Sequence, residues 1–302
     1  RQVKAATIAE AELSARSGMT DVLVSYPLVG PNVTRFFELI DTYPETQFSC
    51  LVDCEEALGA FVRSGYEPVH LFVDLDCGMH RTGIAPGPRV VALVRAIVAN
   101  PALRFAGLHA YDGHIHDAEL AVRRERAEAA FAPVLAFRQR LEGEGAHVAE
   151  LVAGGSPTFG YHAGHADRIC SPGTTVLWDF GYGERHPDLA FLPAAVLLAR
   201  VISKPGKDRL TLDLGHKSVA PENPHPRVKF EELPEAEVLM QSEEHLVLHT
   251  ERAHEFLIGQ ALHGIPRHVC PTVSMHGEAV VIDRGRAVET WPVTARNRRI
   301  TV

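Results

Sequence analysis

The first part of the chain alternates short apolar runs with amphipathic helical patterns, and this alternation restricts its possible folds more than any other feature. Seven apolar runs, rich in β-branched residues, have the length of buried strands. They cover residues 2–7, 21–26, 47–53, 69–76, 103–111, 147–154 and 168–178. Near-continuous apolar strands separated by helices are typical of parallel βα units. The pattern therefore predicts a βα barrel or a doubly wound sheet.

Two observations favour the barrel. No Gly-x-Gly-x-x-Gly follows the first apolar run, so a dinucleotide-binding doubly wound sheet has no support. A (β/α)8 TIM-like barrel needs eight strands, and the chain has seven, beginning at Arg1 with neither an initiator Met nor a signal peptide. We therefore expect a (β/α)8 barrel that lacks its first βα unit within this chain.

The pattern changes after residue 184. Apolar runs such as "AAVLLARVIS" and "EAEVLMQSEEHLVLHT" are separated by turn signals such as "PGKD" and "DRGR", with little helical pattern between them. This is typical of antiparallel sheets. The sequence predicts two domains, a barrel over residues 1–184 and an antiparallel β-domain over residues 185–302.

Composition excludes several function classes. The net charge is −8, and no stretch concentrates Lys and Arg among aromatic residues, so we expect no nucleic-acid partner. No run reaches the ~18 apolar residues of a membrane span, so we expect no membrane partner. The five cysteines show no framework spacing, which predicts a reducing, cytoplasmic setting.

Polar residues cluster where the fourth and fifth apolar runs end. The fourth ends in "VDLDCGMHRTG", which contains Arg81, and the fifth ends in "GLHAYDGHIH", which contains His109, Tyr111 and His114. Barrel active sites form at the carboxyl ends of the strands, so these residues are candidates for a site. A solvated loop and a satisfied core histidine remain the alternatives.

Two clusters of Gly, Ser and Thr follow the next two runs. The first contains Gly154, Gly155, Ser156 and Thr158, and the second contains Gly173 and Thr174. Glycine-rich junctions expose backbone N–H groups and hydroxyls that can bind phosphate. Ordinary turns use the same residues, but two such clusters on consecutive late strands match the usual phosphate position in barrels.

Near the end of the chain, "PRHVCPTV" contains His268 and Cys270. If this segment is a strand, the two side chains share a face, as either two core residues or two metal ligands. Structural zinc sites use four protein ligands, so a metal held here would keep open positions. A thiolate beside an imidazole suits zinc better than magnesium or manganese.

Seven stretches together resemble one family. In order, they are "VDLDCGMHRTG", "FAGLHAYDGH", "AGGSPTF", "PGTTVLWD", "DLGHKSVAPE", "SEEHLVL" and "PRHVCPTV". They are similar to the D-threonine aldolase/D-serine dehydratase family, which are fold-type III pyridoxal-phosphate (PLP) enzymes. The resemblance covers essentially the whole chain and implies an alanine-racemase-like barrel followed by a β-domain.

The resemblance also implies roles for particular residues. Arg81 matches the arginine that contacts the phenolic oxygen of PLP, and the strand with His109, Tyr111 and His114 lines cofactor and substrate. The resemblance further implies a phosphate site and a metal site next to the β-hydroxyl of the substrate. The residues that match the phosphate-binding positions are Gly155, Ser156, Gly173 and Thr174, with Gly154 and Thr158 as further candidates for cofactor binding, and the metal-site residues are His268 and Cys270.

One residue of the family pattern is missing. The family's Schiff-base lysine lies on the first barrel strand, which would precede Arg1. None of the lysines at positions 4, 204, 207, 217 and 229 matches it. Lys4 falls on what would be the second strand. We therefore expect the Schiff-base lysine to be absent from this chain.

The implied activity is that of a PLP- and metal-dependent lyase acting on a β-hydroxy D-amino acid. The pair His268 and Cys270 resembles the zinc-dependent dehydratases, which give a 2-oxo acid and ammonia. The aldolases of the family tend to have aspartate in place of the cysteine and use manganese or magnesium. The alternatives are therefore an aldolase that releases glycine and an aldehyde, a racemase, and a non-catalytic PLP-binding protein. The resemblance also implies a homodimer.

Overall fold

The computed structural model describes residues 1–302 and divides them into two units. The barrel unit comprises Arg1–Gly173 together with Asn297–Val302, and the β unit comprises Thr174–Arg296. Each unit has its own sheet and its own apolar core.

The barrel unit contains one sheet of seven parallel strands whose spatial order is their order in the chain. The strands are β1 (Gln2–Ala5), β2 (Asp21–Pro27), β3 (Gln47–Val52), β4 (Val69–Leu75), β5 (Leu103–Ala110), β6 (Glu150–Ala153) and β7 (Ile169–Cys170). Every predicted strand is present, although the seventh keeps only two residues of the predicted eleven. This confirms the parallel βα architecture.

The sheet curls until its two edge strands approach each other. Strands β1 and β7 stand at opposite edges, yet Lys4 Nζ donates to Ser171 Oγ over 2.7 Å. Gln2 Nε2 likewise donates to Glu150 Oε1 over 3.1 Å. The carboxyl ends of the first and last strands therefore lie close enough to contribute to one site, as in an alanine-racemase-like barrel.

Helices cover the sheet and begin with recognisable signals. They are α1 (Ile8–Arg16), α2 (Pro31–Thr42), α3 (Glu55–Ser64), α4 (Pro88–Ala99), α5 (Leu120–Gly143) and α6 (Phe159–His162). Thr7 caps α1 by accepting from the Glu10 N–H, and the Glu10 carboxylate accepts from the N–H of Ala6, the residue before the cap. Helices α2 and α4 begin with proline, whose fixed φ suits the first helical position.

Alternate residues of the strands enter two different cores. Val22 and Val24 of β2 belong to the large core that includes helix residues, whereas Leu23 between them packs with Leu51, Phe72 and Val152. Both faces of the sheet are therefore apolar, as parallel sheets require. This two-sided burial is why the strands read as continuous apolar runs.

The β unit contains a six-stranded antiparallel sheet and a separate two-stranded hairpin. Its strands are β8 (Leu197–Gly206), β9 (Arg209–Leu212), β10 (Val228–Phe230), β11 (Glu237–Gln241), β12 (Leu246–His249), β13 (Ala261–Pro266), β14 (Glu278–Asp283) and β15 (Arg286–Pro292). Two short helices, α7 (Phe180–Arg185) and α8 (Val269–Met275), complete the unit. The antiparallel architecture is as predicted.

The segment around His268 differs from expectation. Strand β13 ends at Pro266, His268 has extended backbone angles as the residue before α8, and Cys270 lies in the first helical turn. The strand interpretation was therefore wrong. Pro271 also lies in that first turn, where a missing N–H leaves no hydrogen bond unmade. No helix of either unit has the length and apolar character needed to cross a bilayer.

Candidate active site

A buried histidine and aspartate pair on neighbouring strands forms the centre of the barrel-unit site. Asp74 of β4 and His109 of β5 are in register, and His109 Nδ1 lies 2.7 Å from Asp74 Oδ1. Thr82 Oγ1 donates to the other oxygen of Asp74 over 2.9 Å. Burial lowers the pKa of His109 despite the opposing bond to Asp74. We infer a neutral imidazole with its proton on Nδ1.

The other ring nitrogen of His109 is unsatisfied. Nε2 is buried and has no hydrogen-bond partner among the protein groups. A buried polar atom without a partner calls for an explanation, because leaving it so is unfavourable. A bound ligand at the carboxyl end of β5 would supply a partner, and in the neutral ring inferred above Nε2 can accept a proton.

Tyr111, which directly follows β5, lies between two cations. Arg81 Cζ is 4.9 Å and Lys4 Nζ is 5.5 Å from the centre of the Tyr111 ring, within the range of cation–π attraction. A Cβ atom at Gly113 or Gly155 would lie only 2.3 Å or 2.9 Å from that ring. Glycine at both positions therefore gives the ring its room. Arg81 and Tyr111, predicted from separate strand ends, are brought together.

Lys4 belongs to this group, although the sequence comparison had set it aside. Its ammonium donates to Ser171 Oγ, which in turn donates to the Gly154 carbonyl over 3.0 Å. Burial lowers its pKa to about 8, with Arg81 adding to the effect and Asp74 opposing it. The signal in the sequence was a lysine within a predicted strand of a parallel sheet. Such a side chain must face a polar region of the fold.

The loop Gly154–Thr158 follows β6, as predicted for a phosphate site, but two of its donors are already engaged. The Gly155 N–H and the Thr158 hydroxyl both donate to Asp112 Oδ1, over 3.0 Å and 2.8 Å. Ser156 and Thr158 are buried, at 5% and 2% exposure. Gly154 has a φ of +74°, which glycine adopts without strain.

His114, two residues after Asp112, packs beside the loop that follows β4. A Cβ atom at Gly78 of that loop would lie 2.9 Å from His114 Nε2. Its Nδ1 is buried without a partner, and burial lowers the pKa of the ring. His114 is therefore a second neutral imidazole with an unsatisfied nitrogen.

In the β unit, His268 and Cys270 interact directly even though the segment is helical. A hydrogen bond between them is the largest cause that raises the pKa of His268 to about 9 and lowers the pKa of Cys270, with burial opposing both shifts. The two shifts favour the thiolate form of Cys270 and the protonated form of His268. The thiolate is the form of cysteine that binds metals.

Neighbouring groups hold this pair in place. His268 Nδ1 lies 2.5 Å from Glu222 Oε1, and Cys270 Sγ lies 3.6 Å from Thr174 Oγ1. The Val269 N–H between them donates to Asp179 Oδ2 over 3.0 Å. Thr174, predicted for a phosphate site, is thus adjacent to a predicted metal ligand.

The donor set is small but suited to a metal with open positions. No group of three or more His, Cys, Asp and Glu side chains is arranged to hold a metal ion. The two ligands that the sequence predicted, His268 and Cys270, therefore stay a prediction. Because metal-binding histidines usually donate their second N–H to a carboxylate, the contact with Glu222 fits a site in which His268 binds through Nε2.

The fold and these groups define an alanine-racemase-like enzyme with an appended β-domain, and comparisons with known proteins agree. Residues 1–178 match the family described as "Alanine racemase, N-terminal domain". Residues 194–282 match the "Putative serine dehydratase domain". The chain belongs to the D-threonine aldolase/D-serine dehydratase family.

Individual relatives support this assignment. D-threonine aldolase of Arthrobacter sp is 30% identical over 301 residues, which cover 96% of this chain and 77% of that one. 3-hydroxy-D-aspartate aldolase of Paracoccus denitrificans (strain Pd 1222) is 28% identical, with the same coverage of 96% and 77%. The crystal structure of D-threonine aldolase from Filomicrobium marinum superposes with a TM-score of 0.87 at 25% identity, covering 98% of this chain and 82% of that one.

Proposed function

We propose that this protein is a PLP- and divalent-metal-dependent lyase that acts on a β-hydroxy D-amino acid. The observation that carries the proposal is the pairing of His268 with Cys270, whose lowered pKa favours a thiolate. Lyases of this family are expected to hold a metal with a pair of ligands in the β-domain, so the family gives the pair a chemical role. Neither a racemase nor a non-catalytic PLP-binding protein needs a metal.

The barrel-unit residues fit PLP. The unsatisfied Nε2 of His109 supports a ligand at this position. Arg81, Tyr111, His109 and His114 would line it. PLP supplies an electron sink for the bond that breaks.

Two basic groups of the chain can handle protons there. His109 Nε2 carries a lone pair, and Asp74 holds the ring in the tautomer that leaves this nitrogen free. Lys4, with its pKa of about 8, exchanges a proton readily near neutral pH, as a general base should. Either group can take a proton from an amino acid bound at the carboxyl ends of β1 and β5.

The β-unit residues fit zinc as the preferred metal, with manganese as the alternative. His268 and Cys270 provide imidazole and thiolate ligands, a combination that suits zinc. A divalent metal supplies Lewis acidity toward an oxygen of the substrate. The thiolate of Cys270 is favoured by the His268 hydrogen bond before any metal arrives.

Two bond cleavages are open to such an enzyme. Cys270 favours dehydration, as in the zinc-dependent dehydratases that the pair resembles, with D-serine or D-threo-3-hydroxyaspartate as substrate. A second candidate is cleavage between Cα and Cβ, which the names of the two sequence relatives, both aldolases, support.

The test is a substrate panel on the full-length protein loaded with PLP and zinc. D-serine, D-threonine and D-threo-3-hydroxyaspartate are each incubated with and without EDTA, and products are identified by mass spectrometry. A 2-oxo acid and ammonia support dehydration, and glycine with an aldehyde supports the aldolase. Racemised substrate without either product set would contradict the proposal.

The metal ligand has a matched control in the same chain. We expect Cys270→Ala to lose at least ~100-fold in turnover, because one of two protein ligands is gone. Cys54→Ala, at the start of α3, should keep wild-type turnover. Activity that survives both EDTA and Cys270→Ala would exclude the metal role.

We further propose that none of the five lysines holds PLP covalently, since none matches the family's Schiff-base position. Borohydride reduction of the PLP-loaded, full-length protein followed by peptide mapping tests this. A pyridoxyl group on Lys4 would contradict it.

We also propose that the protein is cytoplasmic and forms a homodimer. Light scattering should show the homodimer as twice the mass of one chain.

A further inference from the structure

Asp112, two residues after the end of β5, is a buried carboxylate that the proposed chemistry does not use. It is 1% exposed and joins three segments of the barrel unit. Oδ1 accepts from the Gly155 N–H and from the Thr158 hydroxyl, and Oδ2 lies 2.8 Å from His162 Nε2 of α6. The carboxylate is thus surrounded by partners, with no need of a ligand to satisfy it.

His162 connects Asp112 to Arg168. It is fully buried, and its Nδ1 lies 3.4 Å from Arg168 Nη1. A guanidinium only donates hydrogen bonds, so Nδ1 is the acceptor and the ring proton is on Nε2, facing Asp112. The ring also packs against the loop, because a Cβ atom at Gly154 would lie 2.3 Å from its Cδ2.

We propose that Asp112, His162 and Arg168 form a positioning network that fixes the loop Gly154–Thr158 in its conformation before any ligand binds. The Gly155 N–H and the Thr158 hydroxyl act through this network and do not themselves bind phosphate. Only the consequence for PLP rests on the proposed function. The network itself is a property of the protein without cofactor.

Position 112 requires a carboxylate because both of its oxygens must accept hydrogen bonds. Oδ1 accepts from Gly155 and Thr158, and Oδ2 accepts from His162. Asparagine has the same shape, and its Oδ1 can accept from Gly155 and Thr158. Its Nδ2, however, would point an N–H at the Nε2–H of His162. Moving the histidine proton to Nδ1 relieves that contact but places Nδ1–H against the N–H of Arg168. In Asp112→Asn, two buried N–H donors therefore face each other in either tautomer of His162. They are Asn Nδ2–H and Nε2–H in one tautomer, and Nδ1–H and the Arg168 N–H in the other.

The direct test is hydrogen exchange of the PLP-free protein, followed by mass spectrometry of the peptide that contains Gly155. We expect this peptide to exchange roughly 10-fold faster in Asp112→Asn, because its buried hydrogen bond is weakened. In the double variant Asp112→Asn/Arg168→Gln, the glutamine carbonyl can accept from Nδ1–H. Exchange should then be slower than in Asp112→Asn alone.

Cofactor affinity provides the second readout. We expect the Kd for PLP, measured by quenching of protein fluorescence, to rise roughly 10-fold in Asp112→Asn and to recover in part in the double variant. Thr158→Val removes only the hydroxyl that donates to Asp112. This variant replaces Asp112→Asn in both measurements if Asp112→Asn does not fold. Its matched control is Thr46→Val, which removes the bond from a buried threonine to the Met19 carbonyl, away from the loop.

The outcomes are distinguishable. Unchanged exchange in both Asp112→Asn and Thr158→Val, or losses that simply add in the double variant, would overturn the network. A different result is that hydrogen exchange changes as expected in the variants, but neither they nor the wild type bind PLP. That result would contradict the proposed function and would still support the network.

Discussion

Glu222 and His268 show how a single contact can decide which atom of a residue reacts. The 2.5 Å contact between Glu222 Oε1 and His268 Nδ1 occupies one nitrogen, so Nε2 is the atom that would bind the proposed metal. Carboxylate partners of this kind orient the ring and make it a better ligand. Glu222 ends the stretch "DLGHKSVAPE" that the family resemblance included, but nothing in the sequence pairs it with a residue 46 positions away.

We expect Glu222→Ala to weaken zinc binding by about 10–100-fold, because His268 loses its fixed orientation. Competition with a chromogenic chelator measures this without any substrate. Glu278→Ala, an exposed carboxylate on the β14–β15 hairpin, is the control and should bind zinc as wild type does. Equal affinity in all three proteins would remove Glu222 from the site.

Lys4 makes a prediction about pH and stability. Its folded-state pKa of about 8 lies below the ordinary value of 10.5, so between those pH values the unfolded chain binds more protons than the folded one. Stability of the wild type therefore rises with pH across that window. Lys4→Met lacks this contribution. We expect the variant to melt roughly 2–4 °C above wild type at pH 7, with the difference shrinking toward pH 10.

Thermal unfolding of both proteins at several pH values checks this. Lys204→Met, at an exposed position of β8, is the control and should show no such pH dependence. A difference between wild type and Lys4→Met that is constant from pH 7 to pH 10 would show that the Lys4 pKa is not lowered by folding.

Sequence reasoning at this scale found residues that stand at strand ends and missed those that act through distant partners. Arg81, His109 and Tyr111 were identifiable because strands of a parallel sheet end at one edge. Asp74 and Asp112 lie in the same quoted stretches, but their importance depends on Thr82, His162 and the loop after β6. Those contacts join residues 8 to 50 positions apart, which no sequence motif pairs.

At the scale of elements, the apolar runs predicted the strands well because each strand is buried on both faces. The segment Val269–Met275 was misread for a physical reason. A helix of seven residues is too short to show a helical period, and Pro271 argues against an α-helix unless it lies in the first turn. The pairing of His268 and Cys270 was correct, but the geometry behind it was not.

The segment after β9 crosses a second segment of the β unit at close range. The His216 and Lys217 N–H groups donate to the carbonyls of Ser242 and Glu243, over 2.9 Å and 3.2 Å. A Cβ atom at Gly215 would lie 1.8 Å from the Glu243 carbonyl oxygen. Both stretches belong to the quoted family motifs, so the glycine explains how "DLGHKS" and "SEEH" can be neighbours.

We expect Gly215→Ala to lose about 3 kcal/mol of unfolding free energy, because backbone must move to admit the methyl group. Chemical denaturation measures the change. Gly143→Ala, near the end of α5 with nothing within 4 Å of its added Cβ, should instead gain about 0.5–1 kcal/mol. Equal stability of Gly215→Ala and wild type would contradict the close crossing.

At the scale of the whole molecule, the proposed function would draw on both units. His109, Tyr111 and Arg81, proposed for PLP, lie in the barrel unit, and His268 and Cys270, proposed for the metal, lie in the β unit. The last six residues return to the barrel unit, where the buried Glu12 accepts from the N–H groups of Thr301 and Val302. No local sequence pattern predicts that the C-terminal residues pack on the barrel unit, because the contact depends on Glu12, almost 290 positions away.

Titration with zinc tests the central claim most directly, namely that this protein is a metal-dependent lyase. Full-length protein stripped with EDTA and saturated with PLP receives graded zinc, and product formation from D-threo-3-hydroxyaspartate is followed. We predict that turnover is absent at first, rises with zinc and levels off at one equivalent per chain, and that Cys270→Ala fails to respond. Full turnover before any zinc is added, or none at any zinc concentration, would contradict the account.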